Sequence, residues 1–169
     1  FDGLVIWVHA VSVGETLAAV PMIKALQQQN PRAKLVVTTM TPTGSARARA
    51  AFGDSVHHVY IPYDVPCALN RFLRRIQPDM LVIMETELWP NLIHCCSAKS
   101  VPVVIANARL SEKSATGYKK FSALTQSMLQ KISAIAAQHH NDGERFVELG
   151  LAPEKLLISG NIKFDLSID

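Results

Sequence analysis

The stretch Val5-Ile6-Trp7-Val8-His9-Ala10-Val11-Ser12-Val13-Gly14-Glu15 decides the fold. Leu4 to Val8 is a short, nearly continuous apolar run, the pattern of a strand buried on both faces of a parallel sheet. From Thr16 the apolar positions Leu17, Val20, Met22, Ile23 and Leu26 follow helical spacing, and Gly14 lets backbone come close to whatever binds at the turn. The result is a strand-loop-helix unit with a carboxylate, Glu15, at its mouth. Ser12-x-x-Glu15 also fits a capping box, in which the two side chains satisfy free amides of the first helical turn. Spacing alone leaves both readings of Glu15 open, a cap or a chemical group.

Outward from this unit, strands and helices alternate. Asn30-Pro31 stops the first helix, and Lys34 to Thr39 is a β-branched run that favours a second strand. Thr41-Pro42-Thr43-Gly44 offers a threonine cap with proline in the first turn, opening a helix that carries Arg47 and Arg49 and ends near Gly53. Val56 to Ile61 reads as a third strand, Asp64 as the cap of a helix from about Val65 to Arg75, and Met80 to Met84 as a fourth strand. A short helix around Leu92 to Ala98, a fifth strand at Val103 to Ala106, a less regular segment to about Gly117 and a helix from about Lys120 to Gln130 follow. Ile132 to Ala136, a helix opened by Asn141 and closed by Gly150, and a last strand at Leu156 to Ser159 complete the pattern.

Such alternation predicts an α/β, Rossmann-like doubly wound parallel sheet, because parallel strands need crossovers and these are right-handed. Ligands of such sheets bind outside the carboxyl ends of the strands, where the strand order reverses. If that order is 3-2-1-4-5, the loops after strands one and four face each other, and Glu15 lies near Glu85 and Glu87.

A chain of 169 residues, 49% hydrophobic and 18% charged, suits one well-buried domain. Its net charge of +3 is modest and its 17 Lys and Arg are scattered, which argues against a nucleic-acid groove and leaves room for a few phosphate contacts. Three cysteines, two of them adjacent at Cys95 and Cys96, do not make a disulfide framework. None of the six histidines stands at a zinc spacing with a cysteine, so no metal site is read. No stretch approaches the roughly 18 uninterrupted apolar residues of a membrane helix.

The loop after strand four crowds Glu85-x-Glu87-x-Trp89-Pro90-Asn91 behind an apolar strand. Thr86 or Glu87 as a cap, Pro90 in a first turn and Trp89 in the core account for part of it. A second acidic loop facing Glu15 points instead to a functional cleft, because close carboxylates perturb each other's protonation. The turn after strand one holds a single glycine and no phosphate-binding glycine fingerprint, which excludes the dinucleotide half of a dehydrogenase. The Thr41-to-Ser45 helix entry with Arg47 can seat a phosphate or be a plain cap beside a solvated arginine.

Five stretches taken together, Val8 to Glu15, Thr38 to Gly44, Glu85 to Asn91, Asn107-Ala108-Arg109-Leu110-Ser111 and Gly160-Asn161-Ile162-Lys163-Phe164-Asp165, resemble in order the 3-deoxy-D-manno-octulosonic acid (Kdo) transferases of Gram-negative lipid A biosynthesis. The resemblance implies a GT-B glycosyltransferase that moves Kdo from CMP-Kdo to a lipid A precursor, inverting the anomeric carbon without a metal or other cofactor. It implies an amino-terminal acceptor domain and a carboxyl-terminal CMP-Kdo domain, on the cytoplasmic face of the inner membrane and held there by an anchoring segment. On that basis residues 1–160 are expected to be the acceptor domain, 161–169 the start of a linker to a nucleotide-sugar domain, and the chain alone to be inactive.

Glu15 is then the expected catalytic base. Ser12, Gly14, Thr41, Thr43, Gly44, Ser45, Arg47, Glu85, Glu87, Trp89, Asn91 and Arg109 are the expected acceptor-binding or supporting residues, and Asn161 and Lys163 face the donor side. A helix N-terminus lowers a carboxylate's pKa, so Glu85 or Glu87 is expected to raise that of Glu15 again. A non-enzymatic Rossmann-like binding module and another GT-B enzyme, such as a sugar-nucleotide epimerase, are the alternatives.

Overall fold

The computed structural model describes residues 3–161. Seven strands, β1 (Val5–His9), β2 (Lys34–Thr39), β3 (His57–Tyr60), β4 (Met80–Met84), β5 (Val103–Ala108), β6 (Ala134–Ala137) and β7 (Leu156–Ile158), form one parallel sheet in the order β3-β2-β1-β4-β5-β6-β7. The reversal expected between strands one and four is present: β1 pairs with β2 on one side and with β4 on the other. Seven α-helices connect them: α1 (Val13–Gln29), α2 (Pro42–Phe52), α3 (Pro66–Ile76), α4 (Pro90–Ser97), α5 (Glu112–Lys119), α6 (Ser122–Lys131) and α7 (His140–Glu148).

The continuous apolar runs are explained by two cores, one on each face of the sheet. Trp7, Leu81, Ile83, Val103 and Ile105 point into the larger core beneath α3, α4, α6 and α7. Their neighbours Ile6, Val8, Val82 and Met84 point the other way, into the core covered by α1 and α2. Period-two alternation sends successive side chains to opposite faces, so a strand buried twice needs apolar residues at every position.

Two local expectations are corrected. Asp64 does not cap α3, whose N-cap, Val65, makes no side-chain bond. Its carboxylate instead accepts from the N–H groups of Asn91 (3.2 Å) and Leu92 (2.8 Å), the free amides at the start of α4. Those donors lie 27 and 28 residues away in sequence, beyond what a local capping pattern reads. The segment expected to be irregular up to Gly117 is helix α5, because Ser111 caps it by accepting from the Ser114 N–H at 3.1 Å.

Candidate active site at the strand-order reversal

At the carboxyl end of β1 the backbone leaves the sheet and turns into α1. Ser12 is the N-cap; its hydroxyl accepts from the Glu15 N–H (3.3 Å) and donates to Glu15 Oε1 (2.7 Å), while Glu15 Oε2 accepts from the Val11 N–H (2.7 Å). The capping geometry is therefore real, with Glu15 reaching back one residue further than the usual box. Both carboxylate oxygens are oriented and the residue is buried. Burial is the main force raising the Glu15 pKa; bonds from Ser12 and Val11 oppose it, and the charges of Glu87 and Glu85 add to the rise. Desolvation thus contributes more to the rise than the acidic neighbours do.

Beneath this turn lies a buried polar cluster. Trp7 Nε1–H donates to Thr38 Oγ1 (2.8 Å), and His9 Nδ1 shares a hydrogen bond with the same hydroxyl (2.9 Å). The His9 ring meets Trp89 edge-on, centroids 5.0 Å apart, and its buried Nε2 has no hydrogen-bond partner among the described residues. Burial pushes the His9 pKa down to about 4, so the ring is neutral at physiological pH. Trp89 in turn donates its Nε1–H to Glu87 Oε2 at 2.9 Å. Packing on the larger core and polar contact are both true of Trp89, which ties His9 of β1 to Glu87 of the acidic loop.

The loop after β2 closes the other side. Thr41 caps α2 by accepting from the Gly44 N–H (3.0 Å), and Met40 N–H donates to Val11 O (3.4 Å), joining the loops after β1 and β2. A Cβ at Gly44 would stand 2.9 Å from Thr41 Oγ1 and 3.4 Å from Val11 O, so the cap itself requires glycine there. Gly14 differs: it is exposed and a Cβ would meet only Ser12 Oγ at 3.9 Å, so the fold does not demand glycine. Ser45 is buried, while Thr43 and Arg47 are exposed.

Beside the Glu15 turn, a cleft of about 600 Å³ opens over the ends of β4, β5 and β6, lined among others by Glu85, Glu87, Arg109, Ser111, Gln138 and Asn161. Glu85 and Asn107, the residues at the ends of β4 and β5, both hold left-handed backbone, φ 57° and 56°. Of the expected site residues, Glu85, Glu87, Arg109 and Asn161 line this cleft, whereas Ser12, Gly14, Glu15, Trp89 and the segment from Thr41 to Arg47 are not part of its lining. Asn91 is turned away to donate its Nδ2–H to Asp64 O (2.8 Å), which makes it a brace between α4 and the loop before α3, and Lys163 lies outside the described residues. Gln138 and His139, in the loop after β6, and Asp142, in the first turn of α7, line the cleft without having been singled out as site residues. Among the described residues no three His, Cys, Asp or Glu side chains gather to hold a metal ion.

Sheet order and crevice define a Rossmann-like, doubly wound α/β fold. The UDP-GlcNAc 2-epimerase of Neisseria meningitidis superposes with a TM-score of 0.70 at 15% identity, over 96% of this chain and 48% of that one. MurG of Acinetobacter baumannii does so at 0.58 and 14%, over 83% and 42%.

The family model for 3-deoxy-D-manno-octulosonic-acid transferase (kdotransferase) matches residues 2–166, and the chain belongs to that family. It is 52% identical over 162 residues to the 3-deoxy-D-manno-octulosonic acid transferase of Haemophilus influenzae, covering 96% of this chain and 38% of that protein. The enzyme of the same name from Bordetella pertussis is 33% identical over 96% of this chain and 38% of its own length. The chain therefore spans well under half of these relatives.

Proposed function

We propose that this chain is the acceptor-binding part of an inverting glycosyltransferase that moves Kdo from CMP-Kdo to a lipid A precursor. Residues 1–160 form that part, and residues 161–169 lead towards a nucleotide-sugar domain. In the reaction the acceptor hydroxyl oxygen attacks the anomeric carbon, the bond to the CMP phosphate breaks, and Glu15 takes the hydroxyl proton. The observation that carries this reading is Glu15 itself: a buried, fully oriented carboxylate with a raised pKa, at the strand-order reversal of a chain from a Kdo transferase family. A raised pKa makes an ionised carboxylate a stronger base than a solvated one. Glycine at position 14, which the fold does not need, fits close approach by a substrate.

The acceptor is an anionic glycolipid, and the enzyme works at the cytoplasmic face of the inner membrane. Support comes from a rim of exposed Met40, Tyr60, Tyr63 and Val65 near the crevice, followed on α3 by Arg71, Arg74 and Arg75. Apolar side chains flanked by arginines suit an anionic membrane surface. No described helix is long and apolar enough to cross a membrane. The α2 entry at Thr41 to Ser45 and Arg47 are our candidates for a lipid phosphate.

The test is transfer of Kdo from CMP-Kdo to a tetraacylated lipid A precursor by the full-length enzyme, run with and without EDTA; we expect turnover in both. Titration of the chain alone with CMP, and separately with detergent-solubilised precursor, assigns the half. Lipid binding that weakens with salt, and by about 1–3 kcal/mol in Arg47→Ala, is expected. Tight CMP binding without lipid binding, or activity lost in EDTA and restored by magnesium, refutes the corresponding part.

A further inference from the structure

The loop Asn107 to Ser111 is gripped along its backbone by side chains of the neighbouring loops, and this grip includes two residues to which no role has been given. Thr86 Oγ1 accepts from the Arg109 N–H (3.1 Å) and donates to the Arg109 carbonyl. Gln138 Nε2–H donates to the Asn107 carbonyl (3.0 Å). At Leu110, Asp142 Oδ1 accepts from the N–H (3.0 Å) and Arg145 Nη1 donates to the carbonyl (2.9 Å), while Arg145 also lies 3.4 Å from Asp142 Oδ1. An ion pair on α7, with Asp142 in its first turn and Arg145 in its last, thus holds both polar groups of one buried residue, Leu110, as a neighbouring strand would. The residues on either side of Leu110, Arg109 and Ser111, line the cleft.

Resting on the transferase reading above, we infer that Asp142 and Arg145 are positioning residues of this cleft, which fix the Leu110 backbone and thereby aim Arg109 and Ser111 at the bound substrate. Leu110 lies beyond the end of β5, where no described strand takes its N–H and carbonyl, so without the pair those groups are left unmatched and the loop is free to shift. Arg145 does not line the cleft; it acts from behind, through backbone. Misplacing a binding group by about an ångström costs on the order of tenfold to a hundredfold in rate or affinity.

The experiment compares Arg145→Gln, Arg145→Lys, Arg109→Ala and the double variant Arg145→Gln/Arg109→Ala in the full-length enzyme, with Kdo transfer kinetics, thermal melting and amide hydrogen exchange at Leu110. We expect Arg145→Gln to raise KM for the substrate held by Arg109 by roughly tenfold with a much smaller change in kcat. We also expect faster exchange at Leu110 and partial rescue by Arg145→Lys, which keeps a charged donor. The double variant should be little worse than Arg109→Ala, because both act on one group. Full additivity, or a lowered melting temperature with unchanged KM and unchanged exchange, overturns the inference. If Arg145→Gln does not fold, the same comparison is read from Arg145→Met, which keeps the aliphatic stem and removes the donor, and wild-type KM and exchange there overturn it. Absence of Kdo transfer by the wild-type enzyme refutes the functional reading, whereas exchange at Leu110 reports on the clamp without substrate.

Discussion

Replacing Glu15 by glutamine in the full-length enzyme separates the two things its carboxylate does. As a cap, the residue accepts from the Val11 N–H and from the Ser12 hydroxyl, each at 2.7 Å. Glutamine keeps one acceptor oxygen and loses the other, a loss of about 1 kcal/mol. Part of that is offset, because the raised pKa means that the folded protein holds the charged carboxylate less well than the unfolded chain does. For this group stability is greatest at low pH and is lost as pH rises through the folded pKa, so a neutral amide in its place is spared that loss at pH 7. The melting temperature should therefore move by only a few degrees. As a base, the carboxylate is irreplaceable by an amide, and positioned proton transfer is worth roughly 10²–10⁴-fold, or about 3–5 kcal/mol of barrier. The assay is transfer from CMP-Kdo to lipid A precursor at saturating substrates, with melting followed in parallel. Near-normal turnover beside a clearly lowered melting temperature would show that Glu15 is a cap and nothing more.

Two further outcomes follow from the charges around it. Activity needs ionised Glu15, so its acid limb should lie above the usual carboxylate range, and Glu87→Gln should move that limb to lower pH; an unmoved limb in a pH profile of kcat refutes the coupling. His9, with a folded pKa of about 4 against 6.5 unfolded, remains neutral while the unfolded chain takes up a proton. Its contribution is complete above 6.5 and is lost as pH falls towards 4, by about 3 kcal/mol, so urea denaturation should show that slope and His9→Asn should flatten it.

The order of the sheet was legible because the signals that set it are local and repeated: apolar runs of strand length, each followed by a helical period, leave few topologies. The loops at the strand ends were legible for the same reason, and so was the pair Ser12 and Glu15, whose bonds span three or four residues. What escaped depends on distance in sequence. Asp64 serves amides that the chain reaches 27 residues later, and Asp142 serves one from 32 residues earlier. The apolar run ends at Val8, yet His9 is the last residue of β1 and is buried, with Thr38, 29 residues away, as its partner. Capping and alternation are read along the chain, whereas a buried polar group is defined by what folding brings against it.

The left-handed backbone at Glu85 and Asn107 limits how this sequence can drift. A right-handed or extended residue there would send the chain off in another direction, so both positions reject β-branched side chains and favour Gly, Asn or Asp. Asn107 is such a residue, but Glu85 is not. A glutamate kept where the backbone would be easier with glycine means that position 85 is a local compromise, in which roughly 1–2 kcal/mol of conformational preference is set against a carboxylate at the cleft. Libraries selected for thermal stability alone would be drawn to replace Glu85, and would lose one of the carboxylates that line the cleft.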